Sequence, residues 1–305
     1  MSYHLIHILN HGSRLSVRRG CLVCTLADQI ERKAPLEDIL AVIVAARGVS
    51  FSNDSLSALT ANGAIILHCD DSYRPLAQTA KLSSVIHKDI FERQLFCNGD
   101  FIEILWNSLL FAKISNQAEL LDFIAPKHTL RNNFVEGQPY DEGNLQRLYW
   151  KTYFRSFGKI GPHIREHQGT NNPVNQKLNY GYAVLGAILH RSIVGHGLNP
   201  CLGIHHRYRF KSNPLVYDLI EPLRPFCDAL LHKFYRENNT GEMKDWAKTI
   251  VQGLIEGKID VFAKKKLKLL YAVDFYVSGI ADYFLTGKIN RVFIPKLTKE
   301  FIEKS

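Results

Sequence analysis

Residues 39–46 of the chain read ILAVIVAA, the longest uninterrupted apolar run among its 305 residues. Eight apolar residues are far fewer than the roughly 20 that a membrane-spanning helix needs. The run follows Pro35, and residues 39–44 are predicted to form a strand that is buried on both faces. The N-terminal part of the chain is therefore predicted to contain a buried sheet, and the sequence predicts no membrane segment.

The segments around this strand divide the chain into two blocks. Before and after it, short strand-like stretches alternate with turns at Gly12 and Gly20, and a short helix that Asn53 can cap is predicted to run through Asn62 and to stop at Gly63. Beyond Pro75, apolar residues recur every three or four positions, which is typical of helices. The predicted helices cover residues 83–97, 101–111, 144–157, 175–194, 215–235 and 259–285. The sequence thus predicts an α+β fold: a small β-rich N-terminal domain (residues 1–75), a linker (76–82) and a larger all-α C-terminal domain (83–305).

The net charge of +9 is confined to the second block. Residues 1–80 contain seven basic and seven acidic residues, whereas the remainder contains 31 basic and 22 acidic residues. A basic domain beside a neutral one indicates a polyanionic partner that binds mainly to the second domain. The alternative is a protein that is basic throughout its surface and has no such partner.

The six cysteines do not indicate a disulfide framework or a zinc site. Cys21 and Cys24 form the only closely spaced pair, and no second pair follows. They lie on a predicted strand, where a spacing of three places them on opposite faces. Reduced, structural thiols fit a cytoplasmic protein, and the first residues show no secretory cleavage site. The phosphate-binding glycine motifs and the G-x-S-x-G hydrolase motif are absent from the sequence.

An acidic pair in the predicted helix 215–235 is the first candidate for chemistry. Asp218 and Glu221 are three residues apart, so on one helix they share a face. Burying both carboxylates would be costly without a cation, for which Arg224 and a divalent metal are the two candidates. With His205 or His206 and a third acid, they would form a mixed oxygen and nitrogen site suited to Mg²⁺ or Mn²⁺. The alternative is that these acids face water.

Three segments together resemble a known family. They are the histidine-to-acid segment GIHHRYRFKSNPLVYDLIEPLRP (203–225), the glutamate–glycine helix start EGNLQRLYW (142–150) and the central helix NPVNQKLNYGYAVL (172–185). Taken in their order along the chain (142–150, 172–185, 203–225), and with a β-rich block before them, they resemble the CRISPR-associated integrase family, the spacer-acquisition proteins of bacteria and archaea. The chain is most similar to members from type II systems. Leu145 and Gln146 stand where the family usually has small residues.

The resemblance implies a metal-dependent DNA endonuclease and integrase, in which a 3′-hydroxyl attacks a phosphodiester. Carried over to this chain, the catalytic metal ligands are Glu142, His206 and Glu221, with Mg²⁺ or Mn²⁺ as the cofactor. Asp218 supports the site, and His205 is the alternative to His206. For contacts with DNA phosphates the sequence offers a basic run, whose alternative role is a solvated helix face: Lys264, Lys265, Lys266 and Lys268.

The resemblance also implies partners. They are double-stranded DNA (the spacer precursor and the CRISPR repeat), a second copy of the chain bound through the N-terminal sheets, and a small CRISPR-associated subunit. The RNA-guided effector nuclease is a further candidate partner. Two other functions stay open at this point: a metal-dependent nuclease on branched or single-stranded DNA, and a non-catalytic basic scaffold.

Overall fold

The computed structural model describes residues 4–70, 75–81, 87–134, 141–166, 170–206, 213–237, 241–261 and 266–304. The strands are β1 (His4–Ile8), β2 (Arg14–Arg18), β3 (Cys21–Thr25), β4 (Glu31–Pro35), β5 (Ile39–Val44), β6 (Ser50–Phe51), β7 (Ile65–Cys69), β8 (Pro75–Thr79), β9 (Lys258–Asp260) and β10 (Lys266–Lys268). The helices are α1 (Asn53–Ala61), α2 (Lys88–Phe96), α3 (Gly99–Ile124), α4 (Glu142–Arg155), α5 (Pro173–Gly195), α6 (Pro214–Leu219), α7 (Arg224–Arg236), α8 (Met243–Glu256), α9 (Leu269–Thr286) and α10 (Lys299–Lys304).

The N-terminal region contains two four-stranded sheets. In the first, the strand order is β1-β5-β7-β8, with β5 parallel to both β1 and β7 and with β8 antiparallel to β7. In the second, the order is β4-β3-β2-β6, and only the β2–β6 pair is parallel. The predicted order of a β-rich region followed by a helical region is confirmed.

Strand β5 lies between two hydrophobic cores, and all six of its residues are buried. Val42 and Val44 pack with residues of the second sheet, including Leu15 and Leu22, in a small core of the β region. Ala41 and Ile43 face the other way and join the large core of the helical region. Because alternate residues of a strand point to opposite faces, a strand with a core on each side needs an unbroken apolar run. The prediction of a doubly buried strand is therefore confirmed.

The helical region is built around α5, which contacts α6, α7, α8 and α9 and also the first sheet. Asn172 caps the start of α5, accepting hydrogen bonds from the backbone N–H groups of Val174 and Asn175 at 2.9 and 3.1 Å. Pro173 follows at the first helical position, where its missing N–H costs nothing. Within the described residues, no helix is long and apolar enough to cross a membrane.

Three details of the C-terminal domain differ from the sequence prediction. The domain is not entirely helical, because β9 and β10 form an antiparallel hairpin within the predicted helix 259–285, which begins only at Leu269. The predicted helix 101–111 is part of the longer α3. The predicted helix 215–235 breaks after Leu219 into a 3₁₀ turn, Glu221–Leu223, before α7 resumes. Pro222 has no N–H for the helical hydrogen bond and its ring clashes with the preceding turn, so α6 cannot continue.

The predicted linker begins with a strand. Strand β8 pairs with β7 up to Thr79, so residues 76–79 belong to the first sheet. Residues 82–86, where the sequence predicts the end of the linker and the start of a helix, lie outside the described residues, and α2 is described from Lys88.

Candidate active site

Glu142 is the first residue of α4. The side chain of Asp141 caps this helix by accepting a hydrogen bond from the backbone N–H of Asn144 at 3.1 Å. The cap fixes where the helix begins and so where the Glu142 side chain leaves it. That side chain is 40% exposed, so solvent reaches its carboxylate.

The turn 203–206 is folded around the carboxylate of Asp218, which is completely buried. Asp218 accepts hydrogen bonds from the backbone N–H groups of Ile204, His205 and His206 at 2.6, 3.1 and 3.0 Å. Gly203 allows the close approach, because a Cβ there would stand 3.0 Å from the Asp218 carboxylate and 2.3 Å from the carbonyl oxygen of His206. Four N–H donors, counting the His206 ring, thus replace the water that Asp218 loses.

The two histidines of this turn have different surroundings. The Nδ1 atom of His206 lies 2.6 Å from the Asp218 carboxylate, which leaves Nε2 as the ring nitrogen for another ligand. A carboxylate at one ring nitrogen is the usual support for a histidine that binds metal through the other. The ring of His205 instead stacks on Trp106 of α3, with ring centroids 4.4 Å apart and planes 2° from parallel.

Glu221 lies in the 3₁₀ turn after α6 and is 8% exposed. Its Oε1 atom accepts a hydrogen bond from Nε of Arg224 at 2.8 Å. Burial would raise the pKa of Glu221, but the charges of Arg224 and Lys113 outweigh it and lower the pKa to about 2. The prediction that Arg224 could be the cationic partner of this acid is borne out, and Glu221 is ionised at neutral pH.

Lys113 joins the two predicted carboxylate ligands. Its Nζ lies 3.1 Å from Oε1 of Glu142 and 2.7 Å from Oε2 of Glu221, and its side chain is 9% exposed. The two acids are 79 residues apart in sequence and come from separate elements. The fold therefore brings both to one position, and a cation occupies that position.

Two further polar residues of α3, Asn116 and Gln117, contact the elements that carry Glu221 and Glu142. Asn116 donates hydrogen bonds to the carbonyl oxygens of Pro222 and Pro295 at 2.8 and 3.0 Å, and its Oδ1 accepts one from the N–H of Leu297 at 2.9 Å. Gln117 exchanges two hydrogen bonds with Gln146 of α4, at 3.1 and 3.0 Å. Gln146 therefore ties α4 to α3.

The predicted ligands do not form a single compact cluster. Glu142 and Glu221 meet at Lys113, while His206 is engaged with Asp218. Within the described ranges, no group of three or more His, Cys, Asp or Glu side chains is placed to hold a metal ion. The donor set itself, two carboxylates and an imidazole, is of the kind that binds Mg²⁺ or Mn²⁺. The ammonium group held by both carboxylates shows that their shared position suits a cation.

Only half of the predicted DNA-binding lysines lie in the described part of the chain. Lys264 and Lys265 lie outside it. Lys266 and Lys268 are exposed in strand β10, so the predicted solvated face is on a strand and not on a helix for these two. Lys266 forms an ion pair with Glu300, whereas Lys268 stands directly opposite Lys258 across the hairpin.

The sequence profile of one family covers most of the chain. The family described as "CRISPR associated protein Cas1" matches residues 6–137 and 141–256. The chain belongs to this Cas1 family. The resemblance drawn from the three sequence segments is thereby confirmed, and both match ranges include residues of the candidate site, from Trp106 and Lys113 to Glu221.

A curated relative and two solved structures match this chain over almost its full length. The chain is 30% identical to the CRISPR-associated endonuclease Cas1 of Neisseria meningitidis serogroup C (strain 8013), over 95% of both chains. Its fold is similar to that of a casposase bound to an integration product, with a TM-score of 0.76, 20% identity and coverage of 100% of this chain and 94% of that one. It is also similar to a chain of a Cas6-RT-Cas1–Cas2 complex, with a TM-score of 0.77 and 15% identity, over 98% of this chain and 36% of that one.

The contribution of α3 to this candidate site was not predicted from the sequence. Lys113, Asn116 and Gln117 lie at spacings of three and four within a helix of mostly apolar residues, and all three are buried. Buried Lys, Asn and Gln side chains on one helical face need partners elsewhere. The segment KISNQ (113–117) was therefore the available signal, although it does not say which residues the partners are.

Proposed function

We propose that this Cas1 protein is a divalent-metal-dependent DNA integrase that inserts fragments of foreign DNA into a CRISPR array. The reaction is attack of a DNA 3′-hydroxyl on a phosphodiester of the array, with departure of a 3′-oxygen. The name of the Neisseria relative supports nuclease chemistry, and the casposase of similar fold is bound to an integration product. Foreign-DNA capture is the expected role in antiviral defence.

The convergence of Glu142 and Glu221 on one cation position is the observation that supports this proposal most strongly. Glu142, His206 and Glu221 are the residues that would hold Mg²⁺ or Mn²⁺. Such an ion would supply Lewis-acid polarisation of the phosphate and stabilisation of the developing oxyanion. Asp218 holds His206 through Nδ1, and Arg224 keeps Glu221 ionised in its buried position.

The charge distribution favours DNA as the substrate and the helical domain as its binding region. All of the net positive charge lies beyond residue 80, and exposed lysines bind phosphates without reading sequence. A second copy of the chain and a small Cas2-type subunit are the proposed protein partners. The Cas6-RT-Cas1–Cas2 complex, which contains a chain of similar fold, supports the second of these.

A plasmid-integration assay tests the proposal. The full chain, with its partner subunit, is incubated with a labelled donor bearing a 3′-hydroxyl and a plasmid that contains the CRISPR repeat, in Mn²⁺ or in EDTA. We expect donor–plasmid joints only with the metal. Glu142→Gln, Glu221→Gln and His206→Ala should each abolish the joints while the far-UV circular dichroism spectrum and duplex binding persist.

The same assay separates the alternatives. Cleavage of branched or single-stranded DNA without joints would favour a nuclease over an integrase. DNA binding in EDTA with no metal-dependent product would favour a scaffold. His205→Ala is the matched control for His206→Ala, and full activity in His206→Ala with loss in His205→Ala would exchange the roles of the two histidines.

A further inference from the structure

Lys113 is the one buried cation that contacts both predicted carboxylate ligands among the described residues. We propose that its ammonium group is a resident counter-ion of the site, which a divalent metal ion must displace in order to bind. The inference rests on the proposed metal-dependent function and adds to it a residue that sets the affinity for the metal. Lys113 lies outside the three sequence segments that resemble the family.

The position of Lys113 indicates that it neutralises the two carboxylates in the metal-free protein. The Nζ atom lies within 3.1 Å of one carboxylate and 2.7 Å of the other, and the side chain is almost fully buried. Glu221 has a second cationic partner in Arg224, whereas Glu142 has only Lys113 among the ion pairs of the described residues. An ammonium at this position offsets the repulsion between two carboxylates that the fold brings together.

A divalent ion and the ammonium group cannot occupy this position together. Oxygen ligands surround Mg²⁺ at about 2.1 Å, closer than they approach Nζ, so an ion bound by both acids would fall within a few ångströms of a buried positive charge. Like charges repel more strongly where protein replaces water, as it does around the buried side chains of Lys113 and Glu221. Lysine can yield because its four-carbon stem is flexible, and the partial exposure of Glu142 provides a direction in which to move.

Removing the ammonium group should therefore strengthen metal binding. In Lys113→Met the side chain keeps a similar volume but has no charge, so Mn²⁺ no longer competes with it. We expect the Mn²⁺ dissociation constant of the EDTA-stripped full chain, measured by isothermal titration calorimetry, to fall roughly tenfold or more relative to wild type. The metal-free variant should melt at a lower temperature than wild type, and Mn²⁺ should raise its melting temperature by more than it raises that of wild type.

Lys177→Met is the matched control. Lys177 is also a buried helical lysine, 3% exposed, but it packs against the ring of Tyr235 rather than between carboxylates. Its replacement should leave the Mn²⁺ dissociation constant unchanged. An affinity for Mn²⁺ in Lys113→Met that equals that of wild type, or is weaker, would overturn the inference, since Lys113 would then be neutral or helpful to metal binding.

Two further proteins keep the test decisive. Glu221→Gln should lose Mn²⁺ binding. If neither wild type nor Lys113→Met binds Mn²⁺, the result would count against the proposed function itself. If Lys113→Met does not fold, Lys113→Arg replaces it. Arginine retains the charge and forms two parallel hydrogen bonds with a carboxylate, so its Mn²⁺ affinity should be below that of wild type. An affinity equal to or above wild type would reject the displacement.

Discussion

Asp218 is a buried acid that is stabilised by N–H donors and not by a lysine or arginine side chain. The sequence predicts that two helical acids share one face and need Arg224 or a metal. The structure assigns Arg224 to Glu221 and encloses Asp218 in N–H groups of the turn 203–206. The carboxylate thereby fixes both the turn and the His206 ring.

We predict that Asp218→Asn destabilises the protein and abolishes strand joining. An amide presents an NH₂ group to at least one of the N–H donors that now point at a carboxylate oxygen, so hydrogen bonds are lost and replaced by repulsion. Urea unfolding should show a loss of about 2–3 kcal/mol in the free energy of unfolding. Asp245→Asn, at an exposed pair with Lys248, should cost less than about 0.5 kcal/mol. Equal effects of the two substitutions would contradict this account of Asp218.

Asp228 of α7 is a second buried acid, and its environment predicts a pH dependence of stability. Tyr149 donates a hydrogen bond to one carboxylate oxygen at 2.5 Å, and Tyr182 donates one to the other. Burial raises the pKa of Asp228 to about 6, against the hydrogen bonds from the two tyrosines, which lower it. The folded protein therefore binds this proton more tightly than the unfolded chain, in which the pKa is about 3.9.

Because the folded-state pKa of Asp228 is the higher one, its protonation stabilises the folded protein at low pH. This stabilisation is lost as the pH rises through about 6. Between pH 5 and pH 7.5 the free energy of unfolding of wild type should fall by about 1–1.5 kcal/mol relative to that of Asp228→Asn. Urea unfolding of both proteins at several pH values measures this difference. A constant difference across the range would show that Asp228 does not titrate there.

Spacing identified the residues whose partners are close in the chain, and the family resemblance added Glu142. Asp218, His206, Glu221 and Arg224 lie within one segment of 19 residues, and spacing alone pointed to their proximity. Lys113 was not predicted, because its contacts with Glu142 and Glu221 span 29 and 108 residues. Which distant elements pack together depends on the shape of the whole core, and periodicity along one helix does not encode it.

At the scale of elements, the predicted helices fail at identifiable places. Apolar spacing of three and four continues from α6 into α7, but Pro222 forces a 3₁₀ turn there, and that turn sets the position of Glu221. The stretch 259–268 also has apolar residues at helical spacing, yet it contributes both strands of a hairpin. Its alternation of lysine with apolar residues, Lys266-Leu267-Lys268, was the contrary signal.

The hairpin places Lys258 and Lys268 directly opposite each other, both exposed. Like charges in this arrangement are unfavourable unless an anion lies nearby, which suits contact with DNA phosphates. We predict that the double variant Lys258→Gln/Lys268→Gln binds duplex DNA several-fold more weakly. The slope of log affinity against log salt concentration should decrease by about 2. Fluorescence anisotropy over a range of salt concentrations measures both.

A double variant with the same loss of charge provides the control. Arg32 and Lys33 are exposed on β4, in the neutral N-terminal domain. Arg32→Gln/Lys33→Gln should leave affinity and salt slope almost unchanged. If both double variants weaken binding equally, only overall charge matters and the hairpin has no particular role.

At the scale of the whole molecule, β5 joins the β region to the helical region. The run ILAVIVAA predicted a doubly buried strand, and the structure shows what lies on each side: the small β core and the large helical core. The sheet has a core on each face, so the two regions are coupled energetically. If the strand loosens from one core, its packing against the other core is weakened as well.

We therefore predict that a cavity in the β core also destabilises the helical region. Val42→Ala removes two methyl groups from the small core, at a cost of about 2 kcal/mol, which corresponds to a melting temperature lower by about 3–6 °C. All three tryptophans, Trp106, Trp150 and Trp246, lie in helices, so their fluorescence reports on the helical region. If the two regions unfold together, fluorescence and far-UV circular dichroism should give the same lowered midpoint.

Leu76→Ala, at a side chain of β8 that is 72% exposed, is the control and should change neither midpoint. An unchanged fluorescence midpoint in Val42→Ala, beside an earlier transition in circular dichroism, would mean that the β region unfolds on its own and that β5 does not couple the two cores.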